Sequence, residues 1–118
     1  MITGVITDED VPFVYFELGS RSWPAIVDTG FNGELELPNS LRPLVNAEYV
    51  GRVTSLLAAN QRIEEDIFLV DFPFDGRIIR AQATFVDGNE ILMGTGMLQE
   101  YRLFDDFPAQ RVIIEKAI

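Results

Sequence analysis

The chain has 118 residues, 19 acidic and 9 basic, for a formal net charge of −10. It contains no cysteine and no histidine, which excludes a disulfide framework, a thiolate nucleophile, a Cys- or His-ligated metal and a Ser-His-Asp triad. Length and a 47% hydrophobic content fit one domain over residues 1–118, because half that length would bury too little apolar surface to fold alone.

Turn residues recur every eight to twelve positions, and the segments between them are rich in β-branched and aromatic residues. That spacing predicts an all-β barrel or sandwich. In chain order, Ile2 to Thr7 reads as a strand turned by Asp8-Glu9-Asp10. Val11 to Leu18 follows, with Pro12 confined to its start. Trp23 to Val27 runs into Asp28-Thr29-Gly30, and Glu34 to Pro38 alternates as a half-buried strand does. Ala47 to Leu57 is extended, reverses around Ala58-Ala59-Asn60-Gln61 and returns through Ile63 to Phe72. Asp75-Gly76 is the strongest hairpin turn, since both residues tolerate positive φ, and it joins Ile67–Phe74 to Arg77–Val86. Ile91 to Met93 is a brief strand, Met97 to Tyr101 a short helical turn, and Arg111 to Glu115 a terminal strand. Trp23, Tyr15, Phe13 and Phe16 are expected in the core.

The charge argues against nucleic acid and anionic membranes as partners. Eight arginines and Lys116 are scattered without a run, where a nucleic-acid surface needs a positive stripe. No apolar stretch reaches the eighteen or so residues of a membrane-spanning helix, and Asp8-Glu9-Asp10 stands where a signal peptide would carry lysines and a longer apolar core. A cytoplasmic location is expected. Catalysis, if present, runs on carboxylates, hydroxyls, tyrosines, Lys116 or backbone groups, with no cofactor and no metal. The acidic clusters Asp8-Glu9-Asp10, Glu64-Glu65-Asp66 and Asp105-Asp106 lack the ordered spacing of a calcium loop and read as solvated turns. Gly94-Thr95-Gly96 begins like a dinucleotide fingerprint, without the third glycine or a βαβ setting. Nothing pairs Asp28 with a second carboxylate in the manner of a glycosidase.

Asp28-Thr29-Gly30 stands apart. An acidic residue directly after Ala25-Ile26-Val27 sits at the mouth of a buried strand, where a lone carboxylate is costly to bury. Thr29 supplies a hydroxyl to position it, and Gly30 lets the backbone turn sharply. The same tripeptide also makes an ordinary Asx turn. Further on, Ile91-Leu92-Met93-Gly94 is an apolar run ending in glycine. The order Asp28-Thr29-Gly30-Phe31-Asn32-Gly33, the strand Glu34–Pro38, a long hairpin and then Ile91–Gly94 resembles the retropepsin-like aspartic peptidases, small prokaryotic single-lobe members above all. The resemblance covers about Val11 to Ile114.

That resemblance implies a closed all-β barrel of the retropepsin type, with a flap hairpin and one short helix. It implies a homodimer, because the chain supplies one Asp-Thr-Gly and the mechanism uses two facing aspartates with a water between them. Asp28, Thr29 and Gly30 would form the catalytic loop. Phe31, Asn32, Met93 and the hairpin tip Ala58, Ala59 and Asn60 would contact a peptide or protein substrate beneath the flap Val53–Leu69. Asn60 stands where the family's tip carries glycine, and Phe31 and Asn32 replace the small residue common after the triplet. Dimer contacts are expected from Met1–Thr7, Arg111–Ile118 and the surroundings of Asp28 and Phe31. The alternative is a catalytically weak or inactive module of the same fold that dimerises or binds peptides.

Overall fold

The computed structural model describes residues 1–56 and 58–118. Leu57, the expected end of the strand from Ala47, lies outside the described residues. Among them, ten strands form one mixed sheet: β1 (Ile2–Ile6), β2 (Pro12–Leu18), β3 (Arg21–Val27), β4 (Leu35–Pro38), β5 (Glu48–Leu56), β6 (Arg62–Phe74), β7 (Arg77–Val86), β8 (Ile91–Met93), β9 (Tyr101–Asp106) and β10 (Arg111–Lys116). The order across the sheet is β5-β6-β7-β4-β8-β3-β2-β1-β10-β9.

The alternation legible in the sequence sets the inner face. In β2, Val14, Phe16 and Leu18 are buried, while Tyr15 points outward and is half exposed, contrary to the expectation that it joins the core. Trp23, Ala25 and Val27 of β3 and Phe68, Val70, Phe72 and Phe74 of β6 face the same core. The sheet curls so that β2 meets β6: the Phe16 ring sits 4.9 Å from Phe72, edge to face, and 6.0 Å from Phe74. The Asp75-Gly76 turn has the two successive positive φ angles, 52° and 80°, that its sequence calls for.

Two expectations change. The sheet is open, with β5 and β9 as its edges, so the closed barrel is not formed by strand pairing. Strand β6 has two parts: its residues from Phe68 onward pair with β7, whereas Arg62 to Ile67 pair with β5 alone. The β5–β6 hairpin therefore runs on as a two-stranded arm past the β6–β7 ladder. The expected helix at Met97–Tyr101 is replaced by a 3-10 turn, Thr95–Met97, and by β9, which begins at Tyr101. Further 3-10 turns occupy Asn39–Leu44 and Ala58–Asn60, and no α-helix occurs among the described residues. β9 alternates half-buried Tyr101, Leu103 and Asp105 with exposed Arg102, Phe104 and Asp106, a strand period rather than a helical one.

Phe72 is fully buried at the contact between β2 and β6. Phe72→Ala is expected to lower unfolding free energy by about 3–5 kcal/mol, measured by urea titration followed by fluorescence.

Candidate active site

Strand β3 ends at Val27, and β8 lies beside it in parallel register, Val27 opposite Met93. The other side of β8 pairs antiparallel with β4, Leu35 opposite Met93. β8 is thus inserted between the two strands that flank the Asp28–Glu34 loop, and it closes that loop from below. The Asp28 N–H donates to the Met93 carbonyl at 2.9 Å, and the Gly94 N–H donates to the Glu34 carbonyl at 2.9 Å. The Thr95 N–H and hydroxyl both donate to the Phe31 carbonyl, at 2.8 and 3.3 Å, and the Gly96 N–H donates to the Gly33 carbonyl at 3.0 Å.

Within the loop, the Gly30 N–H donates to Asp28 Oδ1 at 2.9 Å, and the Phe31 N–H donates to the Asp28 carbonyl at 3.2 Å. This is an Asx-type turn. The turn geometry and a functional carboxylate are compatible, because the bond orients one oxygen and leaves the partly exposed group accessible at the end of a buried strand. Thr29, Gly30 and Asn32 are exposed, and Phe31 is half-buried.

Gly94 and Gly96 explain a motif that sequence reasoning set aside as an incomplete dinucleotide fingerprint. A Cβ on Gly94 would overlap the Gly33 and Phe31 carbonyl oxygens, and one on Gly96 would stand 2.8 Å from the Gly33 oxygen. Both glycines serve close approach of one backbone to another. Met93 was expected to face substrate. Its side chain is instead fully buried, and it serves the loop through its carbonyl.

A cavity of about 260 Å³ lies beside the loop, between Phe31 and Gly33, Glu34 to Glu36 of the loop end and β4, Gln82 to Thr84 of β7, and Val53, Ser55, Glu65 and Ile67 of the β5–β6 arm. The arm thus covers this cavity with the middle of its strands. Ala58, Ala59 and Asn60 form the tip turn, where Ala59 and Asn60 both adopt positive φ, 60° and 59°. Arg52 braces the arm by bonding Asp66 at 3.1 Å and Glu64 at 3.2 Å across it. At its root, Arg80 joins Glu48 at 3.0 Å and Asp71 at 3.1 Å.

Glu36 was not anticipated as a site residue, since its alternation in Leu35–Pro38 marks only an outward position. Burial pushes its carboxyl above the ordinary value of 4.5, and the nearby Glu65 and Asp28 carboxylates push it further the same way. Glu34 Oε1 accepts the Gln82 N–H at 2.6 Å, tying the loop end to β7. Among the described residues, no group of three or more histidine, cysteine, aspartate or glutamate side chains is placed to hold a metal ion, and no helix is long and apolar enough to cross a membrane.

Known structures share this backbone fold. A retropepsin-like aspartic protease from Rickettsia conorii superposes with a TM-score of 0.64 at 13% identity, over 97% of this chain and 89% of that one. The fold is retropepsin-like. The retroviral protease-like domain of Ddi1 from Leishmania major superposes with a TM-score of 0.51 at 14% identity, over 86% of each chain. A foamy viral protease-reverse transcriptase matches at TM-score 0.56 and 14% identity, over 76% of this chain and 12% of its own length. No family model and no curated protein matches the sequence. The likeness lies in the retropepsin-like path of the backbone rather than in residue identity.

Two outcomes are expected. Gly94→Ala forces the β8 end away from the Phe31–Gly33 loop and lowers stability by about 1–3 kcal/mol in denaturant titrations. For Glu36, the folded state holds the proton more tightly than the unfolded chain. Its contribution therefore favours folding below pH 4.5 and is lost as pH rises through the folded value. Glu36→Gln is expected to melt above the parent protein at neutral pH, with the difference vanishing below pH 4.5 in a thermal-melt series.

Proposed function

We propose that the protein is an aspartic endopeptidase that works as a homodimer, with Asp28 of each chain facing the other across a two-fold axis. The observation that carries this reading is the Asp28 carboxylate, oriented by the Gly30 N–H on a loop clamped by β8, beside a cavity that the β5–β6 arm covers. The retropepsin-like backbone supports it.

In this mechanism the two carboxylates share one proton, because two so close cannot both ionise cheaply. The charged one takes a proton from the water held between them as that water attacks the peptide carbonyl. The protonated one donates to the carbonyl oxygen. Thr29 and Gly30 shape the loop. An extended peptide lies between loop and arm, near Phe31 and Asn32, and the tip at Ala58, Ala59 and Asn60 closes over it. Glu34, Glu36 and Glu65 give the cavity an acidic lining that favours a basic substrate side chain. The chemistry needs no cofactor.

A second reading, a peptide-binding or dimerisation module of the same fold without hydrolysis, is favoured by Phe31, whose ring occupies one wall of the cavity. Asp28→Asn separates the two. On the peptidase reading it lowers kcat on a peptide library at acid pH by at least about 100-fold, while light scattering shows an unchanged oligomer. Equal peptide turnover by parent and variant removes Asp28 from the chemistry.

A further inference from the structure

Asparagine amides are among the chemically labile side chains of a protein, because the backbone nitrogen of the next residue can attack them. A side chain on that next residue hinders the approach, and glycine removes the hindrance. In this chain Asn39 is followed by Ser40, Asn46 by Ala47, Asn60 by Gln61 and Asn89 by Glu90. Asn32 is followed by Gly33. The glycine belongs to the packing of the loop: a Cβ at position 33 would stand 2.6 Å from Phe31 Cζ, so the Phe31 ring fills the space that a side chain would need.

The two groups that would react are uncommitted. Asn32 is exposed, on irregular backbone between β3 and β4. Among the described residues, its amide makes no hydrogen bond and the Gly33 N–H donates to no acceptor. Asn39 and Asn46 differ in this as well. Asn39 Nδ2 donates to Asp87 at 2.8 Å, and Asn46 Nδ2 donates to Asp71 at 3.0 Å. What is fixed in the loop lies on either side of the Asn32–Gly33 peptide bond. The Phe31 carbonyl is held by Thr95, and the Gly33 carbonyl by Gly96.

We propose that Asn32 is a site of spontaneous deamidation, and that this modification unseats the loop that carries Asp28. The Gly33 nitrogen loses its proton and attacks Asn32 Cγ. The N–Cγ bond forms, the Cγ–Nδ2 bond breaks, and the amide nitrogen leaves as ammonia. Water then opens the resulting succinimide ring. Breaking its bond to Cγ gives aspartate at position 32. Breaking its bond to the backbone carbonyl carbon gives isoaspartate, with the chain rerouted through Cβ and Cγ. Water is the only co-reactant.

Isoaspartate adds one methylene to the backbone between two anchored carbonyls. The bonds to Thr95 and Gly96 cannot both keep their geometry, and the clamp beneath Asp28 loosens. Either product also puts a new negative charge between Asp28 and Glu34, in a chain already at −10. The modification does not depend on hydrolysis of peptides by the protein; loss of turnover on ageing is the one consequence that rests on the peptidase reading.

Ageing the native chain in mildly alkaline buffer, followed by peptide mapping with fragmentation, tests the site. Position 32 is expected to exchange its NH2 for OH at least ten-fold faster than Asn39, Asn46, Asn60 or Asn89, and within about ten-fold of its own rate in the guanidine-unfolded chain. An isoaspartyl methyltransferase is expected to label the aged parent but not aged Asn32→Gln, whose longer side chain closes a ring far more slowly. The isoaspartate fraction, separated by chromatography, is expected to melt at least about 3 °C below the fresh parent. A native rate more than ten-fold below the unfolded one, another asparagine that reacts as fast, or an isoaspartate form that melts with the parent overturns the proposal. A chain that ages in this way and cleaves no peptide leaves the site standing and removes only the peptidase reading.

Discussion

Three residues, Ile91 to Met93, hold the candidate site together. Inserted between β3 and β4, they give Asp28 a backbone partner on one side and align β4 on the other. The insertion requires the chain leaving β8 to pass directly beneath the Phe31–Gly33 loop, and only glycine at 94 and 96 allows two backbones so close. The Phe31 and Gly33 carbonyls face the chain that leaves β8. Thr95 and Gly96 satisfy them. One steric constraint thus fixes both the loop's shape and its hydrogen bonding, and the carboxylate inherits its position from it.

The arm follows from a different balance. Beyond Phe68, β6 is anchored in the sheet by β7 and by buried Val70, Phe72 and Phe74. Before it, the chain pairs with β5 alone, and its outer residues gain no core. Arg52 and Arg80 brace the arm with exposed ion pairs, each of which contributes little in water. The portion over the cavity therefore has few buried contacts and is drawn from the less stable end of the molecule. That suits the covering role proposed for it. Burial, and after it the Glu65 and Asp28 carboxylates, push Glu36 toward its neutral form.

A sheet with ends also has edges, and edges invite pairing. β5 is bulged and committed to the arm, whereas β9 keeps a regular register with β10.

The amino-acid sequence by itself determined the strand periodicity, the Asp75-Gly76 turn and the Asp28-Thr29-Gly30 loop at the end of a buried strand. Each depends on neighbours within a few residues: alternating burial, residues that accept positive φ, an apolar run ending in a carboxylate. The retropepsin-like likeness was legible because the order of those local features is unusual. The role of Gly94 and Gly96 was not, since the atoms they avoid belong to residues some sixty positions earlier. Met93 looked like a lining residue beside the motif, yet its parity in β8 turns it into the core. β9 was hidden behind Met97–Tyr101, whose composition suits a helical turn until β10 offers a ladder to pair with. Glu36 gave no signal, because its burial is tertiary and its neighbours Glu65 and Asp28 come from β6 and the loop after β3. The open sheet was undecidable locally. Which strands are left as edges depends on pairings between residues far apart in sequence, and only the tertiary structure sets them.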